Sequence, residues 1–230
     1  MRADELAGAA RLPVSTVYRY LRALREYGLV TVQDGVHAPG WALDRPAGPR
    51  VSRSDLIESA TPVLRGLAQA TRETAALSVR VGTHAVCVQQ VKSPQSVRVA
   101  FEIGQILPLH AGASERVLLA YAPDQVVHTL LSGELRQYTP STPNHLNLAS
   151  KLRSTRAAGV ATSRGEFTPD AIAVAAPVLC DGEIVCAIEV AGPDRRCGHE
   201  WLMRTKELIA DAVRGLGSAM EAVPLGAPAS

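Results

Sequence analysis

Apolar residues recur at helical spacing along residues 12–28, which read LPVSTVYRYLRALREYG. Val17, Leu21 and Leu24 form one stripe, which predicts an amphipathic helix that begins at Pro13 and ends at Gly28. The opposite side carries residues able to hydrogen-bond phosphates and base edges, namely Ser15, Thr16, Tyr18, Arg19 and Arg22. This pattern favours a DNA-reading helix; a solvated amphipathic helix is the alternative.

The segments on either side of this helix favour the DNA-reading interpretation. A short helix over residues 4–7 and a brief turn precede it, which is helix-turn-helix spacing. Two extended runs follow, residues 29–32 and 36–43, on either side of an Asp34-Gly35 turn typical of a hairpin. Residues 1–44 are therefore predicted to form a winged helix-turn-helix domain.

A second, longer domain is predicted beyond a linker at residues 45–53, where prolines and a glycine interrupt the pattern. Its first helix is expected to have Ser54 as its cap, and Pro62 is expected to kink or split that helix. Further helices are predicted over residues 114–121, 123–131, 148–158 and 199–220. Strands are predicted over residues 75–81, 85–91, 97–101, 171–179 and 184–191. Strands in hairpins between helices indicate an α+β domain around an antiparallel sheet at residues 54–222, before a disordered tail at 223–230.

Composition sets the outer bounds of the interpretation. The chain has 230 residues, a net charge of +2 and 47% hydrophobic residues, as expected for a globular protein. Residues 1–53 carry eight arginines against five acidic residues, a modest excess in the predicted DNA-binding part. No apolar run reaches the roughly 20 residues of a membrane span, and the start resembles no secretory signal, so we expect a cytoplasmic protein with no membrane contact.

The candidate chemistry of an enzyme is weak in this sequence. The cysteines Cys87, Cys180, Cys186 and Cys197 lack paired ligand spacing, so neither zinc nor disulfides are predicted, and no cofactor is expected. His110 has no second ligand within helical reach and is better explained as a structural histidine. Ser114 lies in no Gly-x-Ser-x-Gly elbow, and helix capping is its expected role. Arg195 and Arg196 are interpreted as a solvated turn or an interface pair rather than as phosphate ligands.

The order of elements resembles the IclR family of bacterial transcription regulators from about residue 4 to about residue 219. The residues that carry the resemblance are GQILPLHA at 104–111, AAPV at 175–178 and AGP at 191–193. The resemblance implies a DNA-binding domain joined to an effector-binding domain with a GAF-like sheet. It also implies a homodimer or dimer of dimers on double-stranded operator DNA of roughly palindromic sequence, whose binding a small-molecule effector alters.

The resemblance also implies the position of the effector pocket. Ala113 and Ser114 would offer backbone N–H groups at a helix start, where anions bind favourably. Ser163 would contribute from a loop near the pocket, and strands would contribute Ala173, Glu189 and Ala191. An apolar wall of Val97, Val99 and Phe101 would complete the site, with His110 on a nearby loop.

Glu189 and Ala191 depart from family members that bind small carboxylates, which have small hydroxyl residues at these positions. An inward Glu189 would need a compensating partner, either Arg116 or Arg164, or an effector that carries hydroxyls or an amine. Strand alternation instead favours Glu189 facing solvent, with Cys186, Ile188 and Val190 inward.

A winged helix-turn-helix of this family normally begins with another helix, and Met1 lies almost at the start of the second one. About twenty upstream residues are therefore expected; the alternative is a DNA-binding head that is weak or depends on a partner. Three functions remain open: an effector-responsive transcription regulator, which is preferred; a ligand-sensing or dimerising module that lacks DNA binding; and an enzyme using His110, Ser114 or a cysteine.

Overall fold

The computed structural model describes residues 1–26, 30–33, 35–39 and 53–221. The chain divides into two compact units, Met1–Arg45 and Pro46–Ser230. Several predictions lie outside the described residues: the helix stop at Gly28, Asp34 of the hairpin turn, residues 40–43 of the second extended run, the linker except Arg53, and the C-terminal tail.

The first unit consists of two helices and a hairpin: α1 (Ala3–Ala10), α2 (Val14–Glu26), β1 (Val30–Gln33) and β2 (Val36–Pro39). Arg11 ends α1 in the left-handed conformation, and Pro13 immediately precedes α2. The strands are antiparallel, with Gln33 opposite Val36. The carbonyl of Met1 accepts a 2.7 Å hydrogen bond from the backbone N–H of His37, which ties the first residue to β2.

A small apolar cluster holds the first unit together. Ala3 and Ala7 of α1 are buried with Val17 and Leu21 of α2, and Leu6 and Val30 pack against them. The prediction that Leu24 also faces inward is wrong, because it lies beyond this cluster and is 36% exposed.

The second unit is an α+β domain, as predicted, built on a six-stranded antiparallel sheet. Its strands are β3 (Thr74–Val81), β4 (His84–Val91), β5 (Ile106–Pro108), β6 (Ala161–Arg164), β7 (Ala171–Cys180) and β8 (Glu183–Pro193), in the order β5-β4-β3-β8-β7-β6. Its helices are α3 (Arg53–Thr71), α4 (Ala113–Ala120), α5 (Asp124–Ser132), α6 (His145–Ala158) and α7 (His199–Glu221).

The central strands are covered on both faces. The strands β7 and β8 contact α4, and they also contact α7, which packs beside α3. Ala173, Ala187 and Ala191 belong to the apolar cluster on the α4 side. Ile188 and Val190, which have the opposite parity on β8, are fully buried as well. Residues 185–192 are therefore buried without alternation, as in a strand enclosed by two layers of helices.

Three predictions about elements are corrected. Residues 97–101 form no strand, because side chains satisfy their backbone: Gln90 bonds the N–H and carbonyl of Phe101, and Thr74 donates to Val99. Ser54 does not cap α3 but lies inside it, one residue after the start at Arg53. Pro62 does not split α3, which runs as one helix to Thr71.

Two further observations concern the chain as a whole. The four cysteines, all within the described residues, are buried, and no disulfide joins them. Among the helices described, none is both long and apolar enough to cross a membrane.

Candidate functional site

A small cavity lies in the second unit between the sheet and the start of α4. The cavity has a volume of about 40 Å³. The empty space amounts to about 390 Å³ when its open mouth is included. Aromatic and aliphatic side chains form most of the wall, and small residues on β7 and β8 leave the space open. The polar lining consists of Glu115, Ser163, Glu166, Thr168 and Glu189.

The predicted pocket residues fall into two groups in the structure. Six of them line the cavity: Val99, Phe101, Ser163, Ala173, Glu189 and Ala191. The other three do not. Val97 is 68% exposed, so its side chain is not part of the apolar wall. Ala113 and Ser114 are buried in the first turn of α4, behind the lining. Ser163 lies on the short strand β6 rather than in a loop.

Glu189 faces the cavity and is only 3% exposed, which is the orientation that the family resemblance implied and not the solvent-facing one that strand alternation favoured. Alternation failed as a guide because both faces of β8 are covered. The Oε2 atom of Glu189 accepts a 3.1 Å hydrogen bond from the backbone N–H of Ser114. The N–H group predicted to bind an effector is therefore already bound to a carboxylate of the protein.

Glu166 is a second carboxylate bound at the start of α4. The sequence did not predict it as a site residue. Its Oε2 accepts a 3.2 Å hydrogen bond from the backbone N–H of Gly112 and lies 2.7 Å from Nη1 of Arg116. Lys151 approaches its Oε1 at 3.1 Å. Arg116 also donates to the carbonyl of Thr162. Glu166 is thus buried with two cationic partners. In the sequence, only its position three residues after the predicted site residue Ser163 indicated that it could belong to the site.

The two expected partners of Glu189 are engaged elsewhere. The guanidinium of Arg116 binds Glu166 rather than Glu189. Arg164 is exposed and pairs with Asp194 at 2.8 Å. Neither arginine therefore forms an ion pair with Glu189.

Glu115 is a further carboxyl group in the cavity wall and lies near Glu189. Its Oε1 accepts a 3.0 Å hydrogen bond from the hydroxyl of Ser114. Its side chain folds back under Gly112, where a Cβ would come within 1.9 Å of Oε2. Among the described residues, neither Glu115 nor Glu189 forms an ion pair.

The titration of this pair is dominated by burial, which the charge of the nearby Arg116 offsets only in part. Burial, and then the charge of Glu189, raises the pKa of Glu115 well above its ordinary value. Burial raises the pKa of Glu189 to about 7, and hydrogen bonds from Ser114 and Ala113 limit the rise. At neutral pH Glu189 is therefore close to the midpoint of its titration.

The residues considered for catalysis have structural contacts. His110 is buried, with Nε2 2.8 Å from the carbonyl oxygen of Arg136 and its ring beside Tyr138. It lines a separate surface groove. Ser114 is inside α4, and Gly112 occupies the N-cap position, so the predicted capping role of Ser114 is wrong. The part of the chain that the structure describes holds no cluster of three metal-ligating side chains.

Arg195 and Arg196 lie in an exposed turn, which is one of the two predicted alternatives, and Arg196 also has a buried partner. Its guanidinium binds the buried carboxylate of Glu73 through Nε at 2.6 Å and Nη2 at 3.0 Å. Its neighbour Arg195 is exposed.

The outer face of α2 forms a second surface of interest, in the first unit. Ser15, Tyr18, Arg19 and Arg22 are exposed, and Thr16 is half-buried. The guanidinium of Arg19 lies 5.5 Å from the centre of the Tyr20 ring. An open groove between α2 and the hairpin is lined by Tyr18, Leu21, Arg22, Arg25, Val32, Gly35 and His37.

The second unit corresponds to the C-terminal domain of a family of bacterial transcriptional regulators. Residues 49–217 match the family described as bacterial transcriptional regulator IclR, C-terminal. The chain belongs to the IclR family, as the sequence resemblance indicated.

Relatives and solved structures agree with this assignment. The chain is 28% identical over 214 residues to the HTH-type transcriptional repressor AllR of Escherichia coli K12, covering 91% of this chain and 79% of that protein. The crystal structure of Thermotoga maritima IclR has a TM-score of 0.69 at 23% identity and covers 96% of this chain and 91% of that one. An IclR homolog from Microbacterium hydrocarbonoxydans complexed with 4-hydroxybenzoate has a TM-score of 0.71 at 24% identity, with 97% and 92% covered.

Proposed function

We propose that this chain is an effector-responsive transcription regulator that binds operator DNA through its first unit and a small molecule in the cavity of its second unit. The observation that carries the proposal is the division of α2 into two faces. Val17 and Leu21 are buried, while Ser15, Tyr18 and Arg19 are exposed on the outer face. A helix so arranged has its polar face available for the major groove.

The first unit has the parts of a winged helix-turn-helix. In this arrangement α1 supports α2, the recognition helix, and the β1-β2 hairpin is the wing beside it. Ser15, Thr16, Tyr18, Arg19 and Arg22 are the proposed DNA-contacting residues. Arginine side chains neutralise phosphates and read guanine edges, so both affinity and specificity would depend on them. A two-fold dimer or pair of dimers would place two such helices on a roughly palindromic operator.

The second unit is proposed to bind the effector. Its cavity is largely apolar with a few polar groups, which is the usual construction of a small-molecule site. The homolog complexed with 4-hydroxybenzoate supports a ligand-binding role for this fold. We assign Val99, Phe101, Ser163, Ala173, Glu189 and Ala191 to the effector site. The ligand alters DNA binding only to the extent that it prefers one arrangement of the paired heads over another.

Fluorescence polarisation with the duplex from the chain's own upstream intergenic region tests the DNA-binding part. We expect affinity to fall steeply with salt as counterions are released. Arg19→Ala should weaken specific binding by about 1–3 kcal/mol if Arg19 reads a base. Arg153→Ala, which removes an exposed arginine from α6 of the second unit, is the matched control and should change nothing.

The same titration distinguishes the regulator from a sensor that lacks DNA binding. A binding constant unaffected by both salt and Arg19→Ala would contradict the proposal. Absence of specific binding, together with ligand-induced melting shifts, would favour the DNA-independent sensor.

A further inference from the structure

We infer that the cavity accepts a small molecule carrying a protonated amine and excludes carboxylates, because the protein's own carboxyl groups occupy the anion-binding start of α4. The inference concerns the chemical class of the ligand, and its role as an effector rests on the function proposed above. It depends on three features: the occupied helix start, the uncompensated carboxyl pair and the lining of the cavity.

The start of α4 is the position in this cavity that would attract an anion, since backbone N–H groups at a helix start point outward with a favourable dipole. Those groups are already used. The N–H of Ser114 donates to Glu189, and the N–H of Gly112 donates to Glu166. A ligand carboxylate would have to displace one of these side chains and would then face the remaining negative charge.

The carboxyl groups differ in how their charge is compensated. Glu166 has Arg116 and Lys151 as ion-pair partners. Glu115 and Glu189 both line the cavity and are 97% buried, and the described residues supply no ion pair to either. A buried carboxylate without an ion-pair partner is costly, so it either holds a proton or pairs with a cation, and a ligand ammonium would supply that cation.

The remaining lining suits an ammonium group on a small carbon skeleton. An ammonium has three donors and no acceptor, which matches a site whose polar atoms are carboxyl and hydroxyl oxygens. Glu115, Glu189 and Ser163 provide such oxygens in the cavity wall. Phe101 and Phe167 provide apolar ring surface for the carbon atoms, and aromatic faces also attract cations. The limited volume restricts the ligand to a small molecule.

The titration of the pair gives the binding a pH signature. An ammonium that binds Glu189 stabilises its ionised form and so releases a proton wherever that group is protonated beforehand. Because the pKa of Glu189 is about 7, affinity for an amine should rise with pH up to about 7, by at most tenfold per pH unit, and change less above it. A carboxylate ligand would show the opposite trend.

Isothermal titration calorimetry and thermal melting with matched probes test the inference. Propylamine, 1-propanol and propionate share a carbon skeleton, as do benzylamine, benzyl alcohol and benzoate. We expect the amine of at least one series to bind the intact chain and raise its melting temperature, with the matching carboxylate at least tenfold weaker. Carboxylate binding as tight as amine binding would overturn the inference, and so would the failure of both amines to bind.

Two substitutions at Glu189 sharpen the test. Glu189→Gln keeps the shape and an acceptor but removes the charge, so amine binding should fall at least tenfold and its pH dependence below 7 should weaken. Glu189→Ser frees the N–H of Ser114, so propionate or benzoate binding should increase. Glu183→Gln, the same change at an exposed position of β8, is the control and should leave amine binding unchanged. Retained amine affinity in Glu189→Gln would contradict the inference.

Two controls keep the outcome interpretable. The preference of the unmodified chain for amines or carboxylates requires no variant, so a folding defect in either Glu189 variant leaves the test intact. DNA binding measured on the same preparation separates the two proposals. Specific DNA binding with a preference for carboxylates would refute the ligand class alone, whereas amine binding without DNA binding would refute the regulator alone.

Discussion

The carboxylate of Glu189 accepts a hydrogen bond from the backbone N–H of Ser114 at 3.1 Å, although 75 residues separate the two in sequence. This contact joins the strand β8 to the first turn of α4, where the helix dipole favours negative charge. The helix start stabilises the carboxylate only in part, since burial still raises the pKa of Glu189 to about 7. The contact therefore favours the ionised form of Glu189, while burial has the larger effect on its pKa.

Glu189→Gln should reveal this pH dependence in the free energy of unfolding. Between about pH 4.5, the ordinary value for glutamate, and about pH 7, folded Glu189 holds a proton that the unfolded chain has released. The contribution of Glu189 to the free energy of unfolding therefore falls as pH rises through this window and levels off above it. The stability of Glu189→Gln relative to the native chain should rise over the same window by up to about 3 kcal/mol.

Urea unfolding followed by circular dichroism at pH 5, 6, 7 and 8 measures this difference. Glu183→Gln, which removes an exposed carboxylate from the same strand, should show no such trend. A difference between Glu189→Gln and the native chain that stays constant across these pH values would mean that Glu189 remains ionised throughout.

The ion pair of Arg116 with Glu166 is predicted to matter far more for stability than the pair of Lys151 with the same carboxylate. Arg116 and Glu166 are both buried, so Arg116→Met leaves a buried carboxylate with one partly exposed cation and should cost about 3–5 kcal/mol. Lys151 is 43% exposed, and Lys151→Met should cost at most about 1 kcal/mol.

Adding Glu166→Gln to Arg116→Met removes the unpaired charge and should recover part of the lost stability. Denaturant midpoints of the three variants provide the comparison. Equal losses for Arg116→Met and Lys151→Met would show that Arg116 is not the main partner of Glu166.

Sequence reasoning worked best where each element has one face in the core and one in water. The helix α2 is such an element, since Val17 and Leu21 are buried opposite exposed polar residues. It failed for β8, where Glu189 shares a strand with Ile188 and Val190 and all three are buried. When helices cover both faces of a sheet, the alternation of apolar and polar residues does not show which face a given side chain lies on.

Two other errors arise from contacts between residues distant in sequence. The apolar run at 97–101 reads as a strand, yet the side chains of Gln90 and Thr74 take its backbone hydrogen bonds. Glu166 became a site residue through its contacts with Gly112 and Arg116, which lie 54 and 50 positions earlier. A local pattern cannot reveal such partners. The family resemblance supplied six lining residues because it transfers the three-dimensional arrangement as well as the sequence.

Arg195 and Arg196 are adjacent but should differ in their effect on stability. Arg196 binds both oxygens of the buried Glu73 carboxylate and donates to the carbonyl of Val97. Arg196→Ala removes these contacts and should cost about 1–3 kcal/mol, since a buried carboxylate is left without its cation. Arg195→Ala changes an exposed residue and should stay within about 0.5 kcal/mol. Thermal melting of the two variants measures the contrast, and similar losses would contradict the role given to Arg196.

Two glycines of α7 are predicted to respond to alanine with opposite signs. At Gly215 an added Cβ would meet nothing within 4 Å, so Gly215→Ala should stabilise the chain by about 0.5–1 kcal/mol through the higher helix propensity of alanine. At Gly217 the Cβ would lie 2.6 Å from the carbonyl oxygen of Leu179. Because that atom belongs to the backbone of β7, relief requires moving the helix away from the sheet, and Gly217→Ala should destabilise by about 1–3 kcal/mol.

The free energies of unfolding of these two variants therefore measure how closely α7 packs on the sheet. Both substitutions add one methyl group to the same helix, so helix propensity alone would make both stabilising. A stabilising Gly217→Ala would place α7 farther from Leu179 than the structure does. If Gly215→Ala stabilises the chain and Gly217→Ala destabilises it, the absence of a side chain at Gly217 is required for the close contact of α7 with β7. That contact lies on the face of the sheet opposite the cavity.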